Sequence, residues 1–207
     1  MKLFTSFTLS TIKGVQILPK KSFNTIEIPE GSLVLMCGAT NTGKTTFVKK
    51  HFEGRKNTDI FCSDDLFMEV VRKSSIFDTY DSVIRRTEEN LVAGILKSIE
   101  LKHTVVLDSV SYRPELRKAN IDAFRPYFKN IVMIVIDLDI PDLLTHGSKP
   151  VIPEKVRFDL YPPKPEHNVM LALGVKVQIQ NGQIREGIDT LHIITSDTLN
   201  NTQIVIK

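Results

Sequence analysis

The chain has no apolar run of about eighteen residues, the least that spans a bilayer as a helix, so no membrane-spanning segment is expected. Its first residues, MKLFTSFTLSTIKG, carry one early lysine but lack the continuous apolar stretch of a secretory signal, and a soluble, cytoplasmic protein is expected. Cysteine is scarce. Cys37 and Cys62 both lie inside apolar runs that read as buried strands, which argues against a disulfide-built fold and predicts inert thiols in a reducing compartment. The histidines His51, His103, His146, His167 and His192 are scattered without metal-ligand spacing, so no zinc site is expected. A charge excess is missing too: 27 Lys and Arg against 24 Asp and Glu leave +3, which permits an anionic substrate without announcing a nucleic-acid coat. Repeats and low-complexity tracts are absent.

What is present suits an ordinary globular chain. Hydrophobic residues at 42% and charged residues at 25% of 207 positions predict one domain over residues 1–207. Its core is expected at about 32–160, with a β-rich start over 1–31 and a β-rich tail over 166–207.

The order of elements sets the fold class. Phe4 to Leu9 and Ser22 to Ile28 alternate weakly as short strands, and SLVLMC at Ser32–Cys37 is continuously apolar, as a strand buried on both faces should be. A glycine-rich turn and a helix over Lys44–Phe52 follow. DIFCS at Asp59–Ser63 reads as a second strand ending at Asp64 and Asp65, which open a helix to Lys73. Val83, Ile84, Leu91, Val92, Ile95, Leu96 and Ile99 recur at helical spacing between Asp81 and Leu101. Thr104–Leu107 is a strand closed by Asp108, and Pro114 opens a helix to about Arg125 with Leu116, Ala119, Ile121 and Phe124 as its apolar positions. IVMIVIDL at Ile131–Leu138 is the most apolar strand, expected near the sheet centre or beside the first strand. Strands alternating with helices of this length predict an α/β fold, a parallel sheet flanked by helices. Beyond Tyr161-Pro-Pro-Lys-Pro165 the pattern turns β-like: Val175–Gln180 and Gln183–Glu186 flank Asn181-Gly182 as a hairpin, with strands at Leu191–Thr195 and Ile204–Ile206.

One motif carries chemistry. Gly38-Ala39-Thr40-Asn41-Thr42-Gly43-Lys44-Thr45-Thr46 fits G-x-x-x-x-G-K-[ST], with the required strand before it and helix after it. Gly38 and Gly43 permit backbone angles that turn successive N–H groups inward, so loop amides and the helix start cradle a phosphate. Lys44 is expected on the β and γ phosphates of ATP, and the Thr45 hydroxyl on Mg²⁺. Strand ends elsewhere must say where the phosphate goes. Asp64, Asp65 and Asp108 stand at carboxyl ends of strands, where open α/β sheets bind ligands. Asp64 is the candidate general base and Asp65 the candidate helix cap. Asp108 either holds Mg²⁺ or fixes the loop after its strand, and both readings stay open.

Taken in order, GATNTGKTTF, CSDDLF and VVLDSV followed by RPELRK resemble the P-loop kinase domain of 5′-polynucleotide kinases, the small phage and bacterial end-healing type. The similarity runs from about Leu33 to Arg157. It implies a P-loop kinase-like fold and ATP-dependent phosphorylation of a 5′-hydroxyl, with Lys44 and Thr45 on phosphate and metal and Asp64 as base. Two positions depart from that pattern. Phe67 stands where the family carries an acceptor-binding arginine, and is either core or a surface for stacking on a base or sugar. LLTHGSKPVIPEK offers His146, Lys149 and Lys155 before Arg157 where the family's lid carries arginine. Arg72, Lys73, Arg85, Arg86 and Arg113 are the other cations that could serve.

The acceptor expected is therefore a nucleic-acid 5′ end or a related nucleotide. A nucleoside, modified base or small-molecule hydroxyl is the alternative acceptor. A third reading is a nucleotide-binding module with slow turnover and a protein partner.

Overall fold

Leu33–Cys37 (β2) is buried at every position, as a central strand must be when both its faces are covered. The structure, a computed structural model, describes residues 24–75, 77–109, 111, 113–139, 141–142, 165–185 and 187–207. The remaining expectations, Phe4–Leu9 and the segment bearing His146, Lys149, Lys155 and Arg157, lie outside the described residues.

Besides β2, the central sheet contains Thr58–Cys62 (β3), Thr104–Asp108 (β4), Ile131–Asp137 (β5) and Thr190–Thr195 (β6). These strands pair in the order β3-β4-β2-β5-β6, all parallel. The expectation for β5 is borne out: it lies beside β2, with Leu33 opposite Ile131 and Cys37 opposite Val135.

Alternate residues of these strands feed two cores. Val34, Met36, Val106, Ile134 and Ile136 face one side, where Phe47, Val48 and Phe52 of the helix Lys44–Phe52 (α1) pack. Asn24–Ile28 (β1) and Thr202–Ile206 (β7) form a separate parallel two-stranded ribbon, and its Ile26, Ile28 and Ile204 close that same side. Leu33, Leu35, Cys37, Leu107, Met133 and Val135 face the other side. It is covered by Ile95 of Tyr80–Glu100 (α3), Ile121 and Phe124 of Pro114–Phe124 (α4), and Val175 of Pro165–Gln180 (α5). Ser63–Lys73 (α2) packs on α3 through Val70, Val71 and Val83. A short helix, Ser196–Leu199 (α6), joins β6 to β7.

The path along the sheet fixes the crevice. From β2 the chain passes over one face by α1 to β3 at the edge, and the next three crossovers use the other face as the strands run back across. The loop after β2 therefore leaves where the connection of β2 departs over one face and those of its neighbours β4 and β5 depart over the other, the kind of switch point at which ligands bind in open parallel sheets.

Three expectations are corrected. The hairpin at Val175–Glu186 does not form: Val175–Gln180 is the last part of α5, and Gln183–Arg185 is one 3₁₀ turn. Asn181-Gly182 instead ends the helix, with Gly182 left-handed at φ 71° and its N–H donating to the Ile179 carbonyl. On α4 the buried face is Arg117, Ile121 and Phe124, whereas Leu116 is 57% exposed and Ala119 is also exposed. Asp65 does not cap α2, because the helix starts at Ser63 after Cys62, which makes no side-chain cap bond.

Candidate active site

The phosphate loop leaves β2 with two glycines that have different reasons to be glycine. Gly38 has φ 147°, and a Cβ there would come within 2.7 Å of the Ile136 carbonyl oxygen on β5. Gly43 has φ 84° at the N-cap of α1, with open space around it, so its requirement is conformational. Asn41 between them is also left-handed at φ 66°. Thr42 closes the bend, its hydroxyl donating to the Ala39 carbonyl at 3.0 Å. Thr40 and Thr42 are buried, while Thr46 faces out on the first turn of α1. This run of angles makes a concave cradle of amides at the start of a nine-residue helix.

Lys44 is 8% exposed, and its ammonium donates to the carbonyls of Ala39 at 2.7 Å and Gly38 at 3.1 Å. Its charge is thus held at the cradle by loop backbone. Next to it, Thr45 faces Asp108 at the end of β4. Asp108 is 4% exposed, and burial pushes its carboxyl above the usual range, opposed by the Thr45 hydroxyl, the Lys44 ammonium and the Cys62 thiol. Its Oδ2 is buried without a hydrogen-bond partner. A buried carboxylate oxygen left unpaired beside a hydroxyl, at a phosphate cradle, fits a hard divalent cation such as Mg²⁺. No group of three or more His, Cys, Asp or Glu that could hold a metal by itself is found among the described residues.

Asp64 lies on the first turn of α2, exposed, just past the carboxyl end of β3. Its charge reaches Asp108 and Cys62, raising the pKa of both, so the structure brings it to the same end of the sheet as the cradle. Cys62 is half-buried rather than fully buried as expected. Burial pushes its thiol up to about 12; the Asp65 backbone N–H opposes this, and the carboxylates of Asp108, Asp65 and Asp64 add to it. A thiol so protonated is a donor toward Asp108 and not a nucleophile.

The other cations are distributed differently. Lys73 pairs with Glu69 and Arg85 with Glu89, both pairs exposed on helix surfaces. Arg86 bonds Asp78 at 2.8 Å and the Ser74 hydroxyl at 3.1 Å, tying α3 to the end of α2. Arg72 is exposed, and Arg113 stands at the N-cap of α4. Phe67 packs against Val70, Val71 and Val83, and its ring meets Tyr80 edge-on at 6.4 Å, so it is part of the α2–α3 packing. Of the histidines whose side chains are described, His51 packs at a tilt on Phe47, His103 bonds Asp59, and His192 is on β6.

Sequence reasoning missed two features at this end of the sheet. Helix α5 sits on the loop, with Ala172 and Leu171 against Ala39. Arg117 is buried beside the end of β2, where its charge lowers the Cys37 pKa more than that of Lys44 does, although burial keeps the thiol raised overall. The i, i+4, i+7 spacing of Arg117, Ile121 and Phe124 was the available signal for that buried face.

Comparison with known proteins adds a family and a fold. The sequence model of the family AAA_33, described as an AAA domain, matches residues 33–143. A search of curated proteins gives no match. Among solved structures, the chain is similar to one from the Pnkp1/Rnl/Hen1 RNA repair complex, with TM-score 0.56 and 14% identity over 76% of this chain and 47% of that one. A second Pnkp1/Rnl/Hen1 structure matches with TM-score 0.47 and 18% identity over 63% and 44%. A structure of the PezAT toxin–antitoxin system of Streptococcus pneumoniae matches with TM-score 0.49 and 14% identity over 86% and 71%. This chain thus spans less than half the length of the two repair-complex chains. At these identities the likeness is one of fold, a parallel sheet flanked by helices of the P-loop kinase-like kind.

Proposed function

The chain belongs to the AAA_33 family of AAA domains, and from that premise we propose that it is a kinase moving the γ-phosphate of ATP to a hydroxyl, the 5′-hydroxyl of a polynucleotide foremost. One observation carries this reading: Lys44, Thr45, Asp108 and Asp64 gather at the carboxyl end of the sheet, around a loop built to hold phosphate.

Gly38, Thr40, Asn41, Thr42 and Gly43 supply the cradle, and the amides of Lys44, Thr45 and Thr46 at the helix start complete it. On binding, the Lys44 ammonium exchanges two backbone carbonyls for β- and γ-phosphate oxygens. Asp64 takes the proton of the acceptor hydroxyl as its oxygen forms a bond to the γ-phosphorus. The bond from that phosphorus to the β–γ bridging oxygen breaks, and ADP leaves. Thr45 and Asp108 would hold Mg²⁺, which neutralises charge on the phosphates when bound.

Support for a polynucleotide acceptor is the resemblance of the motif set together with the fold shared with a chain of an RNA repair complex. Phe67 favours a second reading with a smaller acceptor. Its ring is packed between helices and carries no guanidinium, and the fork of Arg86, another of the candidate cations, is engaged by Asp78.

Incubation with γ-labelled ATP and 5′-hydroxyl oligonucleotides tests the proposal. Label on the oligonucleotide is expected. Label on nucleosides alone would select the smaller acceptor, and nucleotide binding without transfer would overturn the kinase reading.

A further inference from the structure

Arg117 is 3% exposed, and a guanidinium is tolerated at such depth only where its donors find acceptors. Among the described residues its partners are three uncharged oxygens from separate parts of the chain. Nη1 donates to the Ser111 carbonyl at 3.0 Å; Nη2 donates to Gln178 Oε1 at 3.1 Å and, more weakly, to the Gln183 carbonyl at 3.4 Å. Ser111 lies on the connection that leaves β4 three residues after Asp108, and its φ of 26° is a strained angle for a residue with a side chain. The Cys37 thiol reaches the same Ser111 carbonyl at 3.4 Å, and the Ser109 and Ser111 hydroxyls are 2.6 Å apart. Gln178 belongs to α5, six residues beyond the Ala172 contact on the phosphate loop. One side chain therefore joins the segment after the candidate metal carboxylate to the helix resting on the phosphate cradle.

We propose that Arg117 is a positioning residue that clamps the segment following Asp108 to α5, so that carboxylate and cradle keep one relative geometry; this rests on the phosphotransfer reading of the site. The planar fork suits the task because it reaches acceptors in divergent directions from one rigid group, which an ammonium on a flexible stem does less well.

The full chain with Arg117→Lys, Gln178→Ala or Gln178→Glu tests this. Arg117→Lys and Gln178→Ala should lower kcat by about tenfold, the scale of one lost hydrogen bond to a charged group, with KM for ATP unchanged. Gln178→Glu, which keeps an acceptor oxygen for the guanidinium, should retain wild-type kcat. Hydrogen exchange read by mass spectrometry should speed up over residues 109–113 in the first two variants and not in the third. A purely structural role would reduce melting temperature while leaving kcat per folded molecule and that exchange pattern unchanged, and this result would overturn the inference. The exchange arm needs no turnover, so a wild-type chain inactive as a kinase but showing the pattern would refute the reaction and keep the clamp.

Discussion

The carbonyl oxygen of Ile136 would lie 2.7 Å from a Cβ on Gly38, closer than real Cβ contacts come. The phosphate loop therefore leaves β2 pressed against the backbone of β5, and neither side can yield as a flexible side-chain end would. Gly38→Ala should destabilise the chain by about 2 kcal/mol or more and abolish nucleotide binding. Gly43→Ala meets nothing within 4 Å and carries only the left-handed φ, so about 1 kcal/mol is expected, with binding weakened. Chemical denaturation and nucleotide titration of both variants check the contrast.

Asp108 sets stability against function. Its carboxyl is raised by burial, so its ionised form disfavours the fold: the contribution of the neutral acid is complete below the unfolded pKa of about 3.9 and is lost as pH rises through the higher folded value. At pH 7 Asp108→Asn should therefore raise the melting temperature. Mg²⁺ should raise the wild-type melting temperature and leave that of the variant unmoved. A variant that melts lower than wild type contradicts the burial argument, and one that keeps the Mg²⁺ response contradicts the metal assignment.

Asp189 gives the opposite pH signature. The Arg125 guanidinium at 2.7 Å and the Ile131 N–H hold its carboxyl below the usual range, pinning the end of α4 to the start of β6. A depressed folded pKa means stability present above about pH 4 and lost as pH falls through the folded value. The pair is solvent-exposed, so Asp189→Asn should cost under about 1 kcal/mol at pH 7. Melting curves from pH 7 to pH 2 should show the variant and wild type converging in acid.

Much of this was legible in the chain. Both flanks of the phosphate loop and the strands β2, β4 and β5 follow from continuous apolar runs in which burial on both faces leaves little ambiguity, whereas β6, half-exposed at the sheet edge, reads as part of a separate tail although it is the fifth strand of the central sheet. The tail misled because Val175, Val177 and Ile179 alternate as a strand would, whereas the inward positions are Ala172, Val175 and Ile179 at helical spacing. Asn-Gly suits a hairpin turn and a helix end alike, since both need a left-handed residue. The burial of Arg117 is not legible because a charged residue reads as surface, and only three acceptors converging from distant segments make that burial possible.

The proton acceptor is the hinge of the chemistry. Asp64 is exposed at the head of α2, so Asp64→Asn should leave the fold and nucleotide affinity intact while lowering kcat by about 10²–10⁴-fold. Isothermal titration with a non-hydrolysable ATP analogue and steady-state transfer assays separate the two quantities. Full activity in that variant would move the base elsewhere.

The most direct test is γ-phosphate transfer from labelled ATP to a hydroxyl acceptor by the wild-type chain beside Lys44→Ala. The account predicts Mg²⁺-dependent label on a 5′-hydroxyl oligonucleotide with wild type and none with Lys44→Ala. Equal labelling by the two proteins, or ATP bound tightly by wild type with no acceptor labelled, would contradict it.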